Sequence, residues 1–110
     1  MAIYPGRVYV NDTVRLEVNW QNDSGVDLDP TTDVTLKIRS PSGTTSTYTY
    51  SDAEITKSSA GDYYYDLTPD KSGRWWFRWE ASGTGTNKAL EGSLMVQVSV
   101  FYDDSEDAYR

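Results

Sequence analysis

No cysteine and no histidine occur among the 110 residues of this chain. Without cysteine there is no disulfide to staple a fold, and no thiolate to serve as nucleophile or metal ligand. Without histidine the commonest general base, proton shuttle and transition-metal ligand is missing. No window approaches the roughly 20 apolar residues of a membrane-spanning helix, so no membrane partner is expected. The opening MAIYPGRVYVNDT lacks the basic start, apolar stretch and small-residue cleavage site of a secretory signal. The expectation is therefore synthesis in the cytoplasm, with an assembly needed to carry the product elsewhere. Basic residues are scarce too: 10 Lys and Arg against 17 Asp and Glu give a net charge of −7. Residues 103–110, DDSEDAYR, hold four acids and one arginine, or −3, which leaves −4 for the body. An acidic body argues against nucleic acid, whose affinity comes mainly from clustered Lys and Arg.

What is abundant is alternation. TVRLEVNW places Val14, Leu16, Val18 and Trp20 on one face and Arg15, Glu17 and Asn19 on the other. DVTLKIRS repeats this with Val34, Leu36 and Ile38 inward and Lys37 and Arg39 outward. A period of two with one polar face marks a half-buried strand. SPSG (40–43) supplies a turn, with Pro presetting φ and Gly free to take φ > 0. TTSTYTY follows, rich in β-branched and aromatic residues. No segment keeps a helical apolar stripe for three turns. With a short first strand at Arg7–Val10, seven or eight strands are expected. Length fits one domain. The predicted fold is an all-β, immunoglobulin-like antiparallel β-sandwich over residues 1–102 without a disulfide, followed by the acidic tail 103–110.

The aromatic-rich stretch GDYYYDLTPDKSGRWWFRWEASG (61–83) divides by the same rule. Tyr63, Tyr65 and Leu67 share a face opposite Asp62, Tyr64 and Asp66. Trp75, Phe77, Trp79 and Ala81 share a face opposite Arg74, Trp76, Arg78 and Glu80. The charges label the second set of each as solvent-facing, so most of these aromatics belong to the core. The link TPDKS is short enough to make the two strands an antiparallel pair. In the last strand, Leu94, Val96, Val98 and Val100 are expected inward and Met95, Gln97, Ser99 and Phe101 outward.

The chemistry the residues offer is thin. Serines and threonines have no histidine to activate them, no GxSxG elbow is present, and the lysines sit in loops or on polar faces. Asp62 and Asp66 stand four residues apart on one strand, about 13 Å at ~3.3 Å per residue. That is beyond the ~5–9.5 Å of a glycosidase pair. No enzyme activity and no cofactor are expected. NDSGVDLDPTTD brings Asp23, Asp27, Asp29 and Asp33 into one loop, a composition that suits Ca²⁺. The EF-hand order is absent, and turns use the same residues, so no metal site is assigned. Carbohydrate binding is the alternative function: Tyr64 and Trp76 on neighbouring strands would form a flat aromatic platform that Tyr48 and Tyr50 extend. Exposed aromatics beside arginine are also the usual anchors of protein interfaces.

Three blocks carry a family likeness: YPGRVYVNDTVRLEVNW, DPTTDVTLKIRSPSGT and AGDYYYDLTPDKSGRWWFRWEASG. With a Met start, no signal, about a hundred residues and no cysteine, the chain resembles the small Ig-like accessory proteins of tailed bacteriophages. The resemblance implies a multi-copy virion protein, a capsid decoration or a head–tail or neck accessory, made in the host cytoplasm and binding other virion proteins. It brings no catalytic motif. The contact is expected on an outer face carrying Arg15, Lys37, Arg39, Tyr64, Trp76 and Arg78, with Ile3 and Tyr4 of the N-terminal arm as a second site. Phe101 and Tyr102 mark the other chain end. A surface glycan is the alternative partner.

Overall fold

The computed structural model describes residues 8–83 and 88–98. These form eight strands and no helix: β1 (Val8–Tyr9), β2 (Val14–Asn19), β3 (Asp33–Arg39), β4 (Thr45–Thr49), β5 (Thr56–Ser59), β6 (Asp62–Leu67), β7 (Gly73–Ser82) and β8 (Lys88–Gln97). One sheet has the order β1-β8-β7-β3-β4 and the other β2-β6-β5. All ladders are antiparallel except that of β1, which lies parallel to β8. The all-β sandwich predicted above is what the chain forms.

The inward faces meet as one core. Leu16, Leu36 and Trp79 are fully buried, and Val14, Val18, Trp20, Val34, Ile38, Tyr63, Leu67, Trp75, Phe77, Leu94 and Val96 are buried around them. Val8, Ile55 and Ala81 complete the cluster. Two expected core members are only half-buried: Tyr65, at the margin of the cluster, and Val98, just past the end of β8. Val100, Ser99 and Phe101 lie outside the described residues.

The pairing of β6 with β7 expected from the TPDKS link does not occur. β6 pairs with β2 and β5, whereas β7 pairs with β3 and β8 in the opposite sheet. Five residues at ~3.3 Å each reach across the ~10 Å between packed sheets as readily as they close a hairpin. Both strands carry a bulky apolar face, and facing each other across the sandwich buries both. Pro69 in the link is fully buried, and its carbonyl accepts the Asn11 N–H at 2.8 Å.

The long connection from β2 to β3 is pinned rather than loose. The Trp20 N–H donates to the Gly61 carbonyl at 2.8 Å, and the Leu28 N–H donates to the Trp20 carbonyl at 3.0 Å. Gly61 closes the β5–β6 turn with φ +79°, where a Cβ would stand 2.5 Å from the Trp20 oxygen. Only glycine meets both conditions.

Candidate functional site

The outer face of the five-stranded sheet gathers positive charge around one exposed tryptophan. Alternation along β3 and β7 turns Lys37, Arg39, Arg74, Trp76 and Arg78 outward. Registration then sets Arg39 beside Trp76, and Lys37 beside Arg78. On the other side of β7, Met95 lies opposite Arg74, Ser93 opposite Trp76 and Glu91 opposite Arg78. Trp76 is 52% exposed, the most of any tryptophan described. Beside it lies an open depression of about 410 Å³, lined among others by Lys37, Arg39, Thr45, Arg78 and Glu91.

The charges on this face are unevenly answered. Arg78 donates to Glu80 at 2.6 Å and to Glu91 at 2.7 Å, and Lys37 stands 3.5 Å from Glu80. Hydrogen bonding to Arg78, with the charge of Lys37 behind it, holds the Glu80 carboxyl below its ordinary pKa. Arg74 donates to the Ser93 hydroxyl at 2.9 Å and sits 5.7 Å from the Trp76 ring centroid, within cation–π range. Among the described residues neither Arg39 nor Arg74 has a carboxylate partner.

The single outer face expected from the sequence is in fact two. Lys37, Arg39, Trp76 and Arg78 lie together, but Arg15 and Tyr64 lie on the outer face of the three-stranded sheet, on the opposite side of the sandwich. The cause is the crossing of TPDKS from one sheet to the other. There Arg15 lies 3.8 Å over the Tyr64 ring and forks onto Asp66 at 2.8 and 3.1 Å. Tyr64 is half-buried as a result. The expected platform of Tyr64 and Trp76, extended by Tyr48 and Tyr50, is not formed. Tyr48 opposes the buried Leu36 in register and stacks on Tyr65 at 4.5 Å. Tyr50 sets its edge against Tyr63 at 5.2 Å. Ile3, Tyr4 and Tyr102 lie outside the described residues.

Alternation marks Arg74 as outward, but no sequence pattern brings it, Glu91 or Ser93 into the site. The missing information was the β7–β8 register, which no local pattern encodes.

Three of the four acids of the loop are engaged separately. Asp29 accepts from Lys57 Nζ at 2.5 Å, the Gly61 N–H at 2.7 Å and the Tyr63 hydroxyl at 3.3 Å. These donors, Lys57 first, hold its carboxyl below the usual range. Asp33 accepts from the Ser51 hydroxyl at 2.7 Å, and Asp27 accepts from Gln21 at 3.1 Å. Among the described residues no three acidic side chains converge as a cation site would require. Asp62 and Asp66 are likewise held apart, the first by Asn19 and Ser59 and the second by Arg15.

No family model matches the sequence, and no curated protein does. Solved structures share the fold. The filamin domain of Lin-41 superposes with a TM-score of 0.63 at 18% identity, over 86% of this chain and 85% of that one. Part of chitinase ChiW from Paenibacillus sp. str. FPU-7, a cell-surface-expressed multi-modular enzyme, superposes with a TM-score of 0.57 at 24% identity. That match covers 86% of this chain but 8% of the chitinase, so the chain spans a small fraction of that enzyme's length. At these identities the likeness shows the fold alone, an Ig-like β-sandwich.

Proposed function

We propose that the chain is a non-catalytic Ig-like module that works by protein–protein contact, as a multi-copy accessory protein of a tailed-phage particle. The observation that carries the contact is Trp76, half in water at the centre of a face with Lys37, Arg39, Arg74 and Arg78 around it. Trp and Arg are the residues that dominate interface energetics, and burying an indole beside desolvated guanidiniums is their usual role. The placement in a virion is supported by the sequence resemblance. The non-catalytic reading is supported by the chemistry: no thiol or imidazole in the sequence, and Asp29, Asp62 and Asp66 each held in a separate structural bond.

Mass spectrometry of purified particles from the source tests the location. Trp76→Ser tests the face: the variant should fold and melt as the parent does, yet fail to enter particles. Normal incorporation of a folded Trp76→Ser chain would remove this face from the proposal.

The depression beside Trp76 also favours a second reading, carbohydrate binding, with the indole as stacking surface and Arg39, Thr45 and Glu91 as polar contacts. It now rests on one exposed aromatic rather than a platform. A glycan array decides it: a hit abolished by Trp76→Ser supports a sugar ligand, and a blank array leaves the protein contact.

A further inference from the structure

Trp76 stands between two depressions, and the charges around them are not alike. The one of about 410 Å³ is lined among others by Lys37, Arg78 and Glu91, and there Glu80 and Glu91 answer the two cations. The other, of about 540 Å³, lies toward the 40–43 turn and is lined by Arg39, Ser40, Pro41, Gly43, Arg74 and Trp76. Among the described residues neither of its arginines has a carboxylate partner. We propose that this second depression receives a carboxylate from a partner protein, an aspartate or glutamate side chain flanked by an apolar one. Arg39 and Arg74 hold the acid, and the Trp76 ring takes the apolar neighbour. The inference rests on reading that face as a protein-contact surface, and it names the chemistry of what the face receives.

The geometry is that of one acid between two guanidiniums. Arg39 is in register with Trp76, and Arg74 is two residues before Trp76 on the same face of β7. Arg39 and Arg74 are therefore diagonal neighbours, about 7–8 Å apart in the sheet. Two side chains as long as arginine converge on one carboxylate from that spacing, and its two oxygens can accept from both. Arg74 already donates to the Ser93 hydroxyl at 2.9 Å. A guanidinium carries five N–H donors, so that single bond leaves most of them for a ligand. The wall opposite is fixed. The Gly43 N–H donates to the Ser40 carbonyl and the Ser40 N–H to the Thr44 carbonyl, both at 2.9 Å. Pro41 packs against Gly73, where a Cβ would come within 2.9 Å of the proline ring. A depression already formed binds with little ordering cost.

Charge decides the occupant. Neither arginine can give up its proton. A partner that covers Trp76 also covers the arginines beside it. An apolar surface laid there would leave two desolvated charges unpaired, which is strongly unfavourable. A partner carrying its own acid at that point avoids the penalty and fixes its orientation on the face.

The test is titration of the ¹⁵N-labelled full-length chain with three probes. They are an acetylated, amidated hexapeptide of alternating leucine and glutamate, its leucine–glutamine counterpart, and trigalacturonate, which carries its carboxylates on sugar rings. The glutamate peptide should shift the Trp76 indole and the amides of Arg39–Gly43 and Arg74–Trp76, while those of Arg15 and Tyr64 on the far face stay fixed. The glutamine peptide should bind about tenfold more weakly, the scale of one hydrogen bond to a charged group. Arg39→Gln and Arg74→Gln should each weaken the glutamate peptide by a similar factor, and Arg15→Gln should not. All three positions are exposed, so the variants keep the core intact. Equal binding of the glutamate and glutamine peptides overturns the proposal, as does a glutamate peptide that leaves the Trp76 indole unshifted at millimolar concentration. Tighter binding of trigalacturonate through the same residues overturns the protein occupant in favour of an acidic sugar. The two readings fail separately. A folded Trp76→Ser chain that enters particles removes the contact face, whereas equal peptide binding with that variant shut out of particles removes only the preference for an acid.

Discussion

Two glycines, Gly43 and Gly61, close turns with similar left-handed backbones, φ +92° and φ +79°, in opposite surroundings. A Cβ on Gly43 meets nothing within 4 Å, whereas one on Gly61 meets the Trp20 oxygen at 2.5 Å and the Leu28 nitrogen at 3.0 Å. Gly43→Ala therefore isolates the backbone penalty, ~1–2 kcal/mol for a non-glycine residue in this region. Gly61→Ala carries that penalty and must also push the Trp20 carbonyl away. That movement weakens the Leu28-to-Trp20 and Trp20-to-Gly61 hydrogen bonds, now 3.0 and 2.8 Å. At ~0.5–1.5 kcal/mol for each bond, the second variant should lie ~1–3 kcal/mol below the first. For a domain of this size that is a difference in melting temperature of roughly 5–20 °C. Thermal and urea unfolding followed by circular dichroism give both numbers on one pair of proteins. If the two variants melt together, the loop from Gln21 to Thr32 is not held against the β5–β6 turn as described.

Trp79→Ala removes a fully buried indole and should cost ~3–5 kcal/mol, leaving the domain barely folded in a melt; an unchanged melt would reverse the assignment of β7 faces. Acid should destabilise the fold through Asp29, Asp62 and Glu80, whose carboxyls are all held below their ordinary pKa values. Their contribution is complete above the unfolded pKa near ~4 and is lost as pH falls through the lower folded values. Melting temperature should thus be flat above about pH 5 and drop below about pH 4, with a shallower drop in Asp29→Asn. Alkali should act through tyrosine: burial pushes Tyr63 up, and burial with a hydrogen bond to Tyr48 pushes Tyr65 up to about 12. Stability from these two is intact below ~10 and lost as pH rises through the folded values. Phenolate absorbance should therefore show a late step that coincides with unfolding; ionisation of every tyrosine near its ordinary pKa in a folded chain would contradict their burial.

Faces were legible in the sequence wherever charges alternate with apolar residues, and lateral neighbours were not. Arg74 and Arg78 flank Trp76 along β7, and that alone marked it as outward. TSTYT in β4 has no charge to label either face, so Tyr48 was free to be read as exposed although it stacks inside on Tyr65. β5 reads TKSS and is exposed at every position. It is a strand because its backbone pairs with β6, which leaves no trace in side-chain periodicity. Tyr64 points outward as alternation requires, yet the Arg15 guanidinium covers its ring from the next strand. Sheet membership is the deepest of these omissions: the TPDKS link permits either a hairpin or a crossing, and long-range burial of the β6 and β7 faces decides. The fold class needed none of that information, whereas a composite surface needed all of it.

The parallel clasp between β1 and β8 has a mechanical meaning. Tension applied through the chain before Val8 and after Val98 draws the two strands in opposite directions along their common axis. The load falls on Val8 with Val96, Tyr9 with Gln97, and the Val10 N–H bond to the Gln97 carbonyl, all in shear at once. The longer ladders of β2 with β6 and of β7 with β3 carry none of it until this patch slips. A tether built from this domain would lengthen first by shedding β1, which takes Val8 out of the core while the antiparallel ladders of both sheets stay paired.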